Sequence, residues 1–191
     1  MEIFEHYRFN YMKTLDLSSN ILKNINEIRL PTLRTLNLQN NQLASIESLM
    51  PLTKLTKLEI RGNKLQNLDF LGSLASLEEL YAADNEISDV QGLAECPKLK
   101  IVHLRKNKIV EFRASAQLSQ LNYLNLRENL VESMDSLVSF LQSHPQRKLD
   151  SLNFLANPVL ENKEIEHNKM ILDVAKVLKI NKEEITLEEK P

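Results

Sequence analysis

Leucine and isoleucine recur along the chain at a fixed spacing. The pattern L-x-x-L-x-L-x-x-N-x-L/I can be laid down seven times, and successive copies begin 21, 22, 22, 22, 22 and 28 residues apart. Position 1 of each copy falls, in order, at Met12, Leu33, Leu55, Leu77, Leu99, Leu121 and Leu149. Self-similarity with a period of roughly 20 to 30 residues is the signature of a repeat architecture, in which each copy forms one structural unit.

The third copy shows what the pattern predicts locally. Leu58 and Ile60 alternate with polar residues, as in a short strand with one buried face. In the second half of the copy, Leu68, Leu71 and Leu74 are three residues apart, which favours a 3₁₀ or short helical segment over another strand. Because one copy cannot bury its apolar edges alone, neighbours must stack. The chain is therefore predicted to be an α/β solenoid of about seven repeats, with a parallel concave sheet and short helical returns on the convex side.

An asparagine occupies position 9 of every copy, just after the predicted strand. Backbone groups freed by a turn inside an apolar frame need partners, and a short amide side chain both donates and accepts hydrogen bonds. Leaving such groups unpaired would cost about 1–3 kcal/mol each. We therefore predict a structural ladder of stacked asparagines. Its members are Asn20, Asn41, Asn63, Asn85, Asn107, Asn129 and Asn157.

The ends of the pattern predict how the solenoid is closed. Residues 1–11 are rich in aromatic residues and are expected to form a partial repeat or cap, whereas residues 12–158 hold the repeats. The 28-residue sixth copy is expected to carry one longer convex helix near residues 138–142. Residues 159–191 are expected to form a C-terminal cap helix, over about 164–178, followed by a charged tail.

The length and frame of these copies resemble the intracellular 22-residue class of leucine-rich-repeat proteins. That class includes a protein phosphatase regulator, a splicing-factor subunit and several axonemal proteins. Asn157-Pro158 and the segment LKINKEEIT at 178–186 are similar to the C-terminal leucine-rich-repeat cap of the class. The sequence departs from that cap at Ile180-Asn181, where Leu-Asp is usual, and at His167-Asn168, near the usual Tyr-Arg.

A closer resemblance is to the leucine-rich-repeat radial-spoke proteins of ciliary axonemes. It rests on the segment LNYLNLREN at 121–129, on the long sixth copy, and on the ending NKEE at 181–184. The resemblance implies a structural adaptor in a radial spoke, located in the cytoplasm and in the axoneme of a cilium or flagellum. The alternative is a regulatory subunit that docks on an enzyme such as a phosphatase or a dynein heavy chain.

Composition excludes several classes of function. The formal net charge of −2 gives no global attraction to nucleic acid or to an anionic membrane, and no apolar stretch reaches the length of a membrane span. Three glycines cannot form a phosphate-binding loop, and the four histidines lack partners at metal-ligand spacing. The single cysteine, Cys96, stands at an apolar repeat position and is interpreted as a core residue. The acidic N-terminus is unlike a signal peptide, so an intracellular, non-enzymatic protein without cofactor, metal or small-molecule substrate is expected.

Side chains at positions 3, 5 and 7 should line the concave face, where proteins are the expected partners. Aromatic and arginine side chains are the usual anchors of protein interfaces, and here they concentrate in the middle and later repeats. The candidate partner-binding residues are Glu59, Arg61, Tyr81, Ile101, His103, Arg105, Tyr123 and Arg127. Ala83 is expected to leave a gap between Arg61 and Arg105, with a partner segment lying across Tyr81 to Tyr123. The alternative is that these side chains lie on a solvated sheet and bind no partner.

The fourth copy is acidic and the fifth is basic, which has two interpretations. The stripe could be a docking site for a charged partner. However, its charges share repeat positions, so adjacent strands about 4.8 Å apart should bring them together as ion pairs that favour correct register. We favour the structural interpretation. The predicted pairs are Glu78 with Lys100, Asp84 with Lys106, and Glu86 with Lys108.

Overall fold

A computed structural model describes residues 11–26, 28–113, 118–143 and 149–160. Across these residues seven three-residue strands form one parallel sheet in sequential order. The strands are β1 (Thr14–Asp16), β2 (Thr35–Asn37), β3 (Lys57–Glu59), β4 (Glu79–Tyr81), β5 (Ile101–His103), β6 (Tyr123–Asn125) and β7 (Ser151–Asn153). Each strand falls at positions 3 to 5 of its copy. The predicted leucine-rich-repeat solenoid with a parallel sheet is confirmed.

The register of the sheet follows the repeat. Equivalent positions pair across every strand boundary, as Leu36 pairs with Leu58 and Leu58 with Leu80. Position 4 points into the core, where these three leucines are 0% exposed. Because side chains alternate along a strand, positions 3 and 5 lie on the opposite, concave face. One apolar core runs behind the sheet from Ile25 to Val159.

Short helical segments return the chain along the convex side. Three of them are 3₁₀ helices in the second, third and fourth repeats, at Glu47–Leu49, Asp69–Ser73 and Gln91–Glu95. The sixth repeat instead has an α-helix, α1, at Asp135–Gln142, which confirms the longer helix expected there. A final 3₁₀ segment spans Pro158–Leu160.

Close stacking of the returns explains one glycine. A Cβ atom added to Gly92 would lie 2.1 Å from the carbonyl oxygen of Leu68 in the preceding repeat. By contrast, a Cβ atom added to Gly72 would meet nothing within 4 Å. Gly92 therefore permits a backbone approach that any side chain would prevent.

The asparagines at position 9 link each repeat to the one before it. The side-chain amide of Asn85 donates to the carbonyls of Ala82 and Ala83 in its own turn and to that of Ile60 in the preceding repeat. Its Oδ1 accepts the backbone N–H of Leu65, at 3.1 Å. The same set of bonds recurs at Asn41, Asn63, Asn107, Asn129 and Asn157.

Asn20 differs from the other members of this row. It is exposed, whereas the remaining six asparagines are 0 to 9% exposed. Its amide donates to the carbonyls of Leu17 and Ser18 within its own turn. Asn20 therefore lies in a turn that solvent reaches. Its hydrogen bonds to Leu17 and Ser18 are exposed, whereas most of those made by the later asparagines are buried or partly buried.

Position 8, just before each asparagine, has a left-handed backbone in all seven repeats. Its φ angles lie between 53° and 66° at Ser19, Asn40, Gly62, Asp84, Lys106, Glu128 and Ala156. This conformation, which costs non-glycine residues about 1–2 kcal/mol, turns the chain out of the sheet. At Gly62 a side chain would also meet Asn40 Oδ1 at 2.6 Å. The repeat pattern did not reveal this requirement, because six different residue types besides glycine occupy the position.

The predicted caps fall mainly outside the described residues. Residues 1–10 and 161–191 are not described, and these ranges contain nearly all of the expected N-terminal cap, the cap helix and the charged tail. Those expectations, and the domain boundaries that depend on them, stay predictions.

Candidate functional site: the concave face

The strands hold the candidate binding residues on one continuous surface. Glu59, Tyr81 and His103 are register partners at position 5 of adjacent strands, and Ile101 pairs with Tyr123 at position 3. All five side chains are partly exposed. The sheet thus brings together the strand residues that the sequence singled out.

The N-terminal part of the face, over β1 to β3, consists of polar side chains that pair with one another. Asn37 Nδ2 donates to Asp16 Oδ2 at 3.1 Å, and Gln39 Nε2 donates to Glu59 Oε2. Lys57 Nζ lies 2.7 Å from Glu59 Oε1, and this contact raises the pKa of Lys57. Glu59, a candidate binding residue, therefore belongs to an internally paired network.

The central part of the face, over β4 to β6, is aromatic and aliphatic. The rings of His103 and Tyr123 stack with centroids 6.1 Å apart and planes 8° from parallel, and the Tyr81 ring lies 6.4 Å from His103 on the other side. Ile101 is beside them at position 3. We call Tyr81, Ile101, His103 and Tyr123 the aromatic patch. Rings ordered in this way offer apolar area that is already partly immobilised.

Polar neighbours fix the edges of the aromatic patch. Tyr81 Oη donates to Glu79 Oε2 at 3.2 Å, and Lys57 Nζ lies 5.1 Å from the centre of the Tyr81 ring. Burial and the nearby Glu79 carboxylate raise the pKa of Tyr81. The phenol is therefore neutral at pH 7 and keeps its proton for the hydrogen bond.

His103 is the titratable member of the patch. Burial is the main cause that lowers its pKa, and the positive charges of Arg105 and Arg61 add to the effect. Asn125 Nδ2 lies 3.2 Å from His103 Nε2 and 3.3 Å from Tyr123 Oη. A neutral imidazole with its proton on Nδ1 accepts the hydrogen bond from this amide. Asn125 was not among the predicted site residues, although its position 5 next to His103 could have identified it.

Four cationic side chains lie at the carboxyl ends of the strands beside the patch. Arg61 Nε is 2.9 Å from Asp84 Oδ2, and Lys106 Nζ is 3.1 Å from Asp84 Oδ1. Glu128 Oε1 likewise accepts from Arg105 Nη2 at 2.6 Å and lies 3.1 Å from Arg127 Nε. We call Arg61, Arg105, Lys106 and Arg127 the cationic edge. The sequence identified its arginines but not the sharing of carboxylates at position 8.

The gap predicted at Ala83 stays a prediction. Ala83 lies at position 7 between Arg61 and Arg105, and it is 3% exposed. A small residue at the bottom of a gap is screened by its larger neighbours, so a low exposed fraction agrees with a gap as well as with a closed surface.

The predicted charge pairs between the fourth and fifth repeats are present. Lys100 Nζ is 2.6 Å from Glu78 Oε2, Lys106 Nζ is 3.1 Å from Asp84 Oδ1, and Lys108 Nζ is 2.8 Å from Glu86 Oε2. The lysine contacts lower the pKa values of Glu78 and Glu86. These contacts agree with the structural interpretation, in which the charges favour the register of neighbouring repeats.

Candidate reactive groups have ordinary structural surroundings. Cys96 is fully buried, its Sγ lies 3.5 Å from the Leu74 carbonyl oxygen, and burial raises its pKa to about 12. The thiol is therefore protonated and inaccessible, in agreement with a core role. In the part of the chain that the structure describes, no three His, Cys, Asp or Glu residues are grouped to hold a metal ion. No helix within these residues has the length and apolar character needed to cross a membrane.

Comparisons with known proteins agree with the fold. The sequence model of the family described as "Leucine Rich repeats (2 copies)" matches residues 31–73, 53–95 and 75–116. A comparison with curated proteins gives no significant match.

Several solved structures are similar to the chain. An internalin, InlF, from Listeria monocytogenes is 24% identical with a TM-score of 0.65, and the match covers 78% of this chain and 49% of that one. Internalin C2 from the same organism is 26% identical with a TM-score of 0.60, covering 81% and 76%. The match to a complex of Latrophilin 3, Unc5D and FLRT2 (LRR) has 22% identity and a TM-score of 0.64, covering 76% and 46%. The chain thus spans about half the length of InlF.

Proposed function

We propose that this chain is a non-catalytic scaffold that binds another protein through the aromatic patch. The observation that carries the proposal is the ordered, partly exposed row of Tyr81, His103 and Tyr123 with Ile101 beside it. Partly exposed aromatic side chains on a rigid sheet are typical anchors of protein interfaces, because little conformational entropy remains to be lost on binding. A similar fold, the FLRT2 (LRR) region, occurs in a complex with Latrophilin 3 and Unc5D, which supports a role in protein assembly.

The alternative interpretation, a solvated sheet without a partner, fits the N-terminal part of the face better than the central part. Over β1 to β3 the polar groups of Asp16, Asn37 and Glu59 pair within the sheet or face water. Over β4 to β6 the side chains expose rings and an aliphatic group instead. This contrast favours binding at the central part of the face.

Affinity capture with matched variants tests the proposal. The tagged wild-type chain is compared with Tyr81→Ala/Tyr123→Ala, which removes two rings of the patch, and with Asn37→Ala/Asn153→Ala, which alters the same face outside the patch. Proteins bound through the patch should be lost with the tyrosine variant and retained with the asparagine variant. Equal recovery with all three chains would show that the aromatic patch is not the binding surface.

We further propose that the partner belongs to a ciliary axoneme assembly, with the chain as a structural adaptor of the radial spoke. Support comes from the sequence resemblance over residues 121–129 and the long sixth repeat, which contains α1. Endogenously tagged protein should then locate to the axoneme and co-purify with other spoke proteins. Localisation elsewhere in the cytoplasm of ciliated cells would contradict this assignment and leave the scaffold role standing.

The second candidate is a regulatory subunit that docks on an enzyme such as a phosphatase or a dynein heavy chain. It uses the same surface and is favoured by the same resemblance to the intracellular repeat class. Recovery of one stoichiometric catalytic partner, with its activity changed by the wild-type chain and unchanged by Tyr81→Ala/Tyr123→Ala, would support it over the adaptor.

A further inference from the structure

We propose that the aromatic patch takes an acidic segment of a partner protein, with an aromatic or aliphatic side chain on the rings and carboxylates facing the cationic edge. This inference rests on the proposed function and adds the chemistry of the partner to it. It is carried by the charge balance beside the patch, which differs from the balance elsewhere on the face.

The cationic edge has more positive groups than the carboxylates around it can neutralise. Asp84 is shared by Arg61 and Lys106, and Glu128 is shared by Arg105 and Arg127. Four cationic groups against two carboxylates leave a formal charge of +2 on a chain whose net charge is −2. The surplus is therefore local, and it lies along one side of the aromatic patch.

The surplus charge is accessible to a partner. The side chains of Lys106, Arg61 and Arg105 are 65%, 60% and 44% exposed, whereas that of Arg127 is 23% exposed. The guanidinium groups of Arg61 and Arg105 have more N–H donors than their contacts with Asp84 and Glu128 use. A partner carboxylate can therefore bind to these groups without first breaking the existing ion pairs.

Other charges on the face place the acidic segment on this side of the patch. At the amino ends of β3 and β4, Lys57 Nζ lies 3.9 Å from Glu79 Oε2 and also contacts Glu59, the last residue of β3. The first residues of these two strands therefore carry one charge of each sign and no positive surplus. His103 lies between the two sides, and Arg105 and Arg61 help to lower its pKa, as a positive local potential does. An acidic segment is therefore attracted to the carboxyl ends of the strands, and their amino ends offer it no comparable positive surplus.

The geometry fits a short piece of extended chain. Four adjacent strands, β3 to β6, span about 14 Å, which about five extended residues cross. The patch and the cationic edge thus form one surface that a single segment can cover.

Selection from a random peptide library tests the inference. Phage displaying peptides of about twelve residues are selected on the immobilised wild-type chain, since that length exceeds the span of the four strands. Recovered peptides are expected to be richer in Asp and Glu than in Lys and Arg, and to contain an aromatic or large aliphatic residue. The affinity of a synthesised, labelled peptide should fall as salt increases, because its charges pair with exposed groups.

Two double variants of equal charge change locate the effect. Arg61→Gln/Arg105→Gln should weaken binding of the selected peptide by about tenfold, because rim charges in an interface contribute modestly and roughly independently. The control Lys54→Gln/Lys98→Gln removes two exposed lysines in the loops before β3 and β5, and should leave the affinity nearly unchanged. Urea unfolding of both variants shows whether the fold is intact.

Each other outcome contradicts a defined part of the account. If the selected peptides are neutral or basic and do not bind Tyr81→Ala/Tyr123→Ala, the proposal of an acidic partner is overturned. The assignment of binding to the aromatic patch would then still hold. Peptides insensitive to the tyrosine variant, or no enrichment over a selection on that variant, would count against the patch itself. Self-association of the wild-type chain that Arg61→Gln/Arg105→Gln abolishes would assign the surface to a second copy and overturn the proposal.

Discussion

Two positions of the repeat form rows of side chains along the solenoid, and the fold restricts the choice of residue at one position far more than at the other. At position 9, behind the sheet, every repeat has asparagine, and from Asn41 onward the row is buried and repeats one set of hydrogen bonds. At position 5, on the concave face, the residue changes from strand to strand. That row reads Asp16, Asn37, Glu59, Tyr81, His103, Asn125 and Asn153. Buried backbone groups require one kind of partner, whereas position 5 on the concave face accepts several kinds of side chain.

The largest expected effect comes from removing one buried asparagine. Asn85→Ala leaves the backbone N–H of Leu65 without its acceptor and removes donors from Ile60, Ala82 and Ala83. We expect a loss of about 2–4 kcal/mol in the free energy of unfolding, measured in urea.

The same substitution on the concave face provides the control. Asn37→Ala removes a hydrogen bond to Asp16 and one from the backbone of Gln39, at a site that water reaches. We expect it to cost less than about 1 kcal/mol. Equal losses at Asn37 and Asn85 would mean that the two rows do not differ in their importance to the fold.

The convex returns give the next largest effect. Gly92→Ala would place a methyl group against the Leu68 backbone, and relief requires the two repeats to separate. We expect a cost of about 2–3 kcal/mol, as in an overpacked core. Gly72→Ala, in the preceding return and with open space around it, should be close to neutral in the same urea experiment. A neutral Gly92→Ala would show that adjacent returns are packed less closely than described.

Exposed charge pairs should contribute much less than either buried feature. In a double-mutant cycle of Glu78→Gln and Lys100→Gln, we expect a coupling energy below about 0.5 kcal/mol, because both side chains are exposed. Raising the salt concentration should reduce it further. A salt-independent coupling above about 1 kcal/mol would contradict the view that these pairs only assist register.

The smallest effect is a pH dependence from His103. Its pKa is lower in the folded chain than the ordinary value of 6.5, so the unfolded chain binds the proton more readily. The associated stability is present above pH 6.5 and is lost as the pH falls toward the folded-state pKa. Between pH 7.5 and 5.5 the wild-type chain should therefore lose more stability than His103→Asn. An identical pH dependence for both chains would rule out His103 as the cause.

The same difference between the two rows decides what the sequence could predict. Leucines such as Leu58 and the asparagines at position 9 repeat because the fold requires them, so the pattern predicted the strands, the returns and the residues of the face. It did not predict that Arg61 and Lys106 would share Asp84, or that Glu128 would lie between Arg105 and Arg127. Those features depend on how variable side chains meet across strands, which no repeat encodes.

The left-handed residues at position 8 illustrate another limit. Of the seven residues at position 8, only Gly62 is glycine, the residue that most readily adopts a left-handed backbone. Residues such as Lys106 and Ala156 give no sign in the sequence that this conformation is required. There the turn geometry and the hydrogen bonds of the next asparagine hold the backbone against its local preference.

The most direct test of the account measures stability and binding together in Tyr81→Ala/Tyr123→Ala. Because both side chains are partly exposed on the concave face, the variant should unfold in urea with a loss below about 2 kcal/mol. In the same preparation it should no longer bind the partner captured by the wild-type chain. This result would show that the concave face binds partners through side chains that the fold does not need for its stability. Retained binding, with or without a loss of stability, would contradict the assignment of recognition to the aromatic patch.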